Sequence, residues 1–245
     1  MPNLVKEYSV FEADQYRNLM PQLRSAGLRP LNMADVMREK LEALSNKDLN
    51  LAAFWLDRYF DTVDGIAYSN GKRKVAYNPK QLVNIESNVD LSNGALIITP
   101  DEYKNSQGEE FSVKELENAG LGRRLSKEEV TTHPFWLALA RGDKHLLREY
   151  RDVVFAEIKR RYDGNEGMGV YLGSEQQQPS MRALFVDDLY YMSDALGSND
   201  LSLNARLVGV RSRVAEGDAQ NLMVFNPQDV EKARQAVRTL EQILK

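Results

Sequence analysis

The spacing of hydrophobic and polar positions changes several times along the chain, and each change predicts a different element. Residues 12–26 read as a helix broken near Pro21 and ending at Gly27. In residues 33–45, MADVMREKLEALS, Val36, Met37, Leu41 and Leu44 fall near one face, and Asn32 is placed to cap it. A third helix is predicted near 50–64, where the chain reads AAFWLDRYFDTVD. The pattern then turns to strands. GIAYSNGKRKVAY sets Asn70-Gly71 between two short β-prone segments, which predicts a tight hairpin. QLVNIES and GALIITP predict two more strands, and the polar DEYKNSQGEE after them reads as a surface loop.

Helical spacing returns in the middle of the chain. Ser126 and Glu129 fit a capping box. Pro134 disfavours helical geometry at His133 and suits the first turn of a new helix, which should run to about Arg141 and stop at Gly142. Asp143 caps the next helix, with Leu146, Tyr150, Val154 and Ile158 at steps of four. These elements form a helical corner. The last third predicts strands at MGVYLG, RALFVDDL and NARLVGVR, with LMVFNP as a further one. Asn226-Pro227 opens a final helix striped by Val230, Ala233, Val237, Leu240 and Leu244.

This order predicts an α+β fold: N-terminal helices, a small antiparallel sheet with a hairpin at Asn70-Gly71, a central helical corner, a second antiparallel sheet and a C-terminal helix. Residues 1–125 and 126–245 are expected as two parts packed into one unit.

Composition narrows the functions. The 245 residues suffice for a sizeable core, and 42% hydrophobic with 28% charged residues is globular composition. The net charge of −4 supplies no field toward nucleic acid or anionic lipid, so neither is an expected partner. Without cysteine there are no disulfides, thiolate nucleophiles or zinc fingers. No apolar run approaches the roughly 20 residues of a membrane helix, and the first twenty residues lack the apolar core of a secretory signal. The expectation is a cytoplasmic protein.

Several stretches carry candidate chemistry. His133 and His145 lie 12 positions apart across the helical corner, a spacing that shares no helical face, so the stretch around them reads as core and zinc is not expected to be structural. Arg141-Gly142-Asp143 is accounted for by the two helix caps. The helix after Asp143 interleaves Arg148, Arg151, Lys159, Arg160 and Arg161 with Glu149, Asp152 and Glu157, which gives phosphates no clean cationic face. Gly164, Gly167 and Gly169 follow a helix and precede a strand, the reverse of a dinucleotide fingerprint, so no cofactor is predicted.

Two acidic groups remain. Asp187 and Asp188 end an apolar strand, where neighbouring carboxylates can hold magnesium; otherwise Asp188 caps a short helix and Asp187 faces water. On a helix, Asp57, Asp61 and Asp64 fall at i, i+4 and i+7, against both like-charge repulsion and the helix dipole. Lys72, Arg73 and Lys74 could fold back over them. The preferred functional reading is a non-catalytic binding or assembly protein that recognises another protein or itself. The alternative is a metal-dependent hydrolase or phosphotransfer enzyme, using Mg or Mn on these aspartates.

Overall fold

The computed structural model describes residues 4–45, 49–162, 167–198 and 200–214. The strand expected at 222–227 and the helix expected from Asn226 onward lie outside the described residues, as does Gly164. Tyr8–Arg211 form one compact unit.

The chain begins with β1 (Leu4–Gln15), α1 (Tyr16–Ser25), β2 (Arg29–Pro30), α2 (Met33–Ser45) and α3 (Leu49–Leu56). There follow β3 (Phe60–Ser69), β4 (Lys72–Ala76), α4 (Lys80–Val83), β5 (Leu91–Ser92), β6 (Ala95–Ile97), α5 (Pro100–Asn105) and β7 (Gly108–Ser112). The helical corner is α6 (Val113–Ala119), β8 (Arg124–Leu125), α7 (Lys127–Thr132), α8 (Pro134–Leu139) and α9 (Lys144–Arg161). The last strands are β9 (Met168–Leu172), β10 (Ser180–Val186), β11 (Ala195–Gly197) and β12 (Asn204–Val214). The class is α+β.

The small antiparallel sheet and the second antiparallel sheet expected from the sequence are instead, among the described residues, one twelve-stranded sheet, ordered β1-β12-β3-β10-β11-β9-β8 with short strands attached. It is mixed: β12 runs parallel to β3, and β11 to β9. The physical reason lies in β3. Residues 60–64 were expected to end a helix, yet α3 stops at Leu56 and Phe60–Ser69 is a strand buried along its whole length. Its β-branched and aromatic residues suit a two-sided strand, and its partners β10 and β12 stand more than 100 positions away. β10 lines one edge of β3 while β12 and then β4 line the other, which joins residues 1–125 to the later strands.

Local signals elsewhere match the structure. Asn70 (φ 49°) and Gly71 (φ 75°) make the left-handed turn between β3 and β4. Ser126 and Glu129 form their capping box, and Asp143 Oδ1 accepts the His145 and Leu146 amides. The helix opened by Pro134 ends at Leu139, two residues early, because Arg141 as well as Gly142 is left-handed. The QLVNIES segment carries the short helix α4 rather than a strand. Thr99, at the end of the expected GALIITP strand, forms a capping box with Glu102 that starts α5, and α5 and β7 occupy most of the expected surface loop.

Alternate residues of the central strands feed two cores. Ile66 and Tyr68 of β3, with Leu184 and Val186 of β10, join Trp55, Phe135, Trp136, Leu139 and Tyr150. Ala67, Met181 and Ala183 face the other way, onto Tyr16, Leu19, Met20 and Leu23 of α1 and Leu82 of α4. The helical corner therefore packs on one sheet face and α1 on the other.

Candidate functional site: the 187–194 loop

Residues 187–194 connect β10 to β11, whose last ladder pair is Val186↔Ala195. The loop closes on itself. The Asp187 amide donates to the Asp194 carbonyl at 2.9 Å, Ser193 N–H to Asp188 C=O at 2.8 Å, and Met192 N–H to Leu189 C=O at 3.0 Å. Asp188 Oδ1 accepts the Tyr191 amide at 3.1 Å, and Asp187 Oδ1 accepts the Asp188 amide at 3.0 Å. Asp188 thus caps a turn rather than the short helix expected there. Met192 (φ 63°) and Ser193 (φ 52°) are both left-handed, a conformation costly for residues with side chains and held here by surrounding bonds.

Those bonds come from beneath. Leu189 N–H donates to Leu56 C=O at the end of α3. Lys40 of α2, wholly buried, donates to the Asp187 carbonyl at 3.1 Å and to Ser193 Oγ at 3.4 Å. Asp194 accepts the Gly169 amide of β9 at 2.5 Å. Leu189, Met192 and Ser193 are buried with them, so the loop's underside is fixed by three elements. Its tip is not covered: Tyr190 is 64% and Tyr191 57% exposed. Their rings meet edge to face at 5.0 Å, and Tyr190 meets Tyr162, just past α9, at 6.0 Å.

Burial controls the charges under the loop. It pushes Lys40 down to about 8, against the pull of Asp188, Asp187 and Asp57. It pushes Asp187 up to about 6, opposed by the bond from the Asp188 amide. Asp194 also rises to about 6 through burial, opposed by the Gly169 amide. A serine beside a lysine of lowered pKa has the composition of a nucleophile and base. Here both side chains are wholly buried, so a substrate has no route to Ser193 Oγ, and the pair secures the loop.

The architecture carrying this loop has a solved counterpart. It is similar, with a TM-score of 0.66, to a structure described as the accommodation of massive sequence variation in Nanoarchaeota by the C-type lectin fold. The chain shares the C-type lectin fold. The likeness covers 84% of this chain and 98% of that one at 20% identity, which carries the fold alone. No family model matches the sequence, and no curated protein does.

The C-type lectin fold distributes the expected site residues unevenly. Asp57, exposed at the end of α3, pairs with Arg161. It neighbours Leu56, to which the loop is bonded, and Lys40 feels Asp57 together with Asp187 and Asp188. Asp61 and Asp64 are elsewhere, on β3. Asp61 is buried and accepts the Arg206 amide of β12 at 2.8 Å. Asp64, fully buried, accepts the amides of Met33 and Asn78 at 3.0 and 3.1 Å and pairs with Arg141 at 2.5 Å. Burial raises the Asp64 pKa despite that pair. The helical face proposed for these three acids is dissolved by the strand. Lys72, Arg73 and Lys74 go to Glu110, Glu175 and the Tyr103 carbonyl. Among the described residues no three histidines or carboxylates are placed to share a metal ion. Asp187 is half-buried rather than facing water.

The histidines do not converge on one face. His133 is buried with both ring nitrogens unpartnered among the described residues, and burial, helped by Arg123, lowers its pKa to about 4. His145 is exposed and lies 3.2 Å from Glu149 one turn on. Trp136, between them, is fully buried. Sequence reasoning missed Lys40 and the tyrosine pair. Lys40 carried a signal: with Met33, Val36 and Met37 it completes the i, i+3, i+4, i+7 stripe of α2, a charge on an apolar face. Adjacent tyrosines carry no such mark.

Proposed function

We propose that this chain is a non-catalytic recognition protein that binds another protein through the 187–194 loop. The observation that carries the reading is the contrast between the loop's tip and its underside. Tyr190 and Tyr191 are exposed, while the backbone below them is pinned by Lys40, Asp194 and Leu56. Tyrosines are enriched where protein interfaces concentrate their energy, because each offers a large rigid surface and one hydrogen-bonding tip. A loop already fixed in shape loses little entropy on binding. The C-type lectin fold supports the reading, since its solved counterpart is described as accommodating massive sequence variation, a property suited to changing a surface loop on a constant scaffold.

Site-specific photocrosslinking in the source cell tests this. A benzophenone amino acid at position 190 should trap a discrete protein, and the same group at Lys104, exposed on α5, should not. Tyr191→Ala should reduce the yield from position 190 while the melting midpoint stays unchanged. Equal trapping from both positions, or none from 190, overturns the proposal.

A further inference from the structure

A second surface lies on the opposite arm of the sheet. Among the described residues β7 pairs with β4 alone, in a register from Ala76↔Gly108 to Lys72↔Ser112. At the two ends of this ladder the Tyr77 amide donates to Gln107 C=O at 2.8 Å, and the Val113 amide to Gly71 C=O at 3.3 Å. Hydrogen-bonded pairs recur at every second residue of an antiparallel ladder. The main-chain groups of Glu109 and Phe111 therefore point at β4, and those of Gly108 and Glu110 point outward. The edge is held firmly: Gly108 (φ 146°) lies so close to β4 that a Cβ there would stand 1.8 Å from the Val75 carbonyl oxygen.

Side chains alternate the other way. Glu110 turns to Lys72, at 2.6 Å, whereas Glu109 and Phe111 line a cleft of about 350 Å³ beside α8. Phe111, Pro134 and Leu137 give the cleft an apolar wall. Its one cation, Arg141, is already engaged by Asp64 and stacks 3.7 Å from the Tyr77 ring centroid. Glu109 is exposed and has no ion-pair partner among the described residues, so the free charge at the cleft is negative.

We propose that the β7 edge and this cleft dock an extended, basic segment of another protein. The segment adds to β7 as a further strand, bonding to Gly108 and Glu110. It lays the stem of a lysine or arginine over Phe111 and Leu137, with the cation at Glu109. Self-pairing is disfavoured by the same residues, because a second β7 brings Glu109 and Glu110 against like charges. The proposal is independent of the 187–194 loop, which belongs to a different arm of the sheet.

The test is an amide-resolved NMR titration of the full chain with two capped pentapeptides, Thr-Lys-Val-Lys-Thr and Thr-Glu-Val-Glu-Thr. The basic peptide should give saturable shifts at residues 108–112 and 134–141, with affinity at least about ten-fold above the acidic one. Glu109→Lys should invert that preference. Glu110→Pro removes an outward N–H that β4 does not use, and should weaken both peptides. If Glu110→Pro perturbs the fold, Glu109→Lys still decides, since its side chain is exposed. No saturable shift with the basic peptide, shifts confined to other regions, or an unchanged preference in Glu109→Lys overturns the proposal.

Discussion

Lys40 Nζ donates to the main-chain oxygen of Asp187, 147 positions along the chain, at 3.1 Å. The bond joins the first long helix to the loop between β10 and β11, and a second bond reaches Ser193 Oγ. Lys40→Ala removes both and leaves a cavity, with two acceptors short of a donor. The expected loss is about 2–5 kcal/mol, by the arithmetic of a long buried side chain cut to alanine. Lys40→Met restores most of the volume but not the bonds. Both variants should speed amide exchange at Leu189, Met192 and Ser193, while only the alanine variant should lose the full stability in urea melts. Unchanged exchange in both would show that packing alone holds the loop.

Asp194 makes the loop's support depend on pH. Its pKa in the fold is about 6, above the ordinary 3.8, so the folded state holds the proton more tightly. The stability it contributes is complete below 3.8 and is lost as pH rises through 6. Asp194→Asn keeps an oxygen for the Gly169 amide without the buried charge. It should therefore be more stable than wild type at pH 7, by on the order of 1–3 kcal/mol, and the gap should close toward pH 4. His133 works in the opposite sense over the same range. Its pKa falls from 6.5 to about 4, so its contribution is present above 6.5 and lost as pH falls through 4. For that reason the measurement is the difference between the two proteins across pH, not the wild-type curve. A gap that is constant from pH 7 to 4 removes Asp194 as the source.

The difference between what the chain announces and what it conceals follows from where each signal originates. Asn70-Gly71, the Ser126/Glu129 box and the Asp143 cap are settled by bonds within a few residues, and each is present as read. The central strand β3 is not. Its residues are buried on both faces, so they show no alternation, and three aspartates at steps near four imitate a helical face. What overrides that period is pairing with β10 and β12, more than a hundred positions away. The arrangement of the 187–194 loop was hidden for a similar reason. Nothing local states that Leu189 is buried while Tyr190 beside it is exposed; contacts from α2, α3 and β9 decide it.

Trp136 was legible as core, and its burial gives a prediction of size. It is fully buried among Phe135, Leu139 and Tyr150, with Tyr150 at 6.4 Å between ring centroids. Trp136→Ala should cost about 3–5 kcal/mol in denaturant unfolding. Trp136→Phe, which keeps most of the area and removes an indole N–H that has no partner among the described residues, should cost much less. A loss in the phenylalanine variant as large as in the alanine one would mean that the N–H is bonded after all.

Asp64 separates a structural carboxylate from a metal ligand. Its two oxygens are committed to the Met33 and Asn78 amides and to Arg141, a set that fixes the start of α2 and the α8–α9 turn against β3. A carboxylate awaiting a cation is strained by its neighbours and gains stability when neutralised. One that answers two buried amides and a guanidinium, as Asp64 does, leaves all three without their acceptor when it is removed. Asp64→Ala should therefore destabilise strongly, by about 3–5 kcal/mol, since it strands two buried amides and leaves Arg141 unpaired. Asp64→Asn retains one acceptor oxygen but opposes an amide N–H₂ to one of its donors, and should fall between alanine and wild type. Added magnesium or manganese should leave the melting midpoint of wild type unchanged, because Asp57, Asp61 and Asp64 each bond to a different element. A stabilisation of wild type by the ion that disappears in Asp64→Asn would assign the aspartate to a metal and displace the structural account.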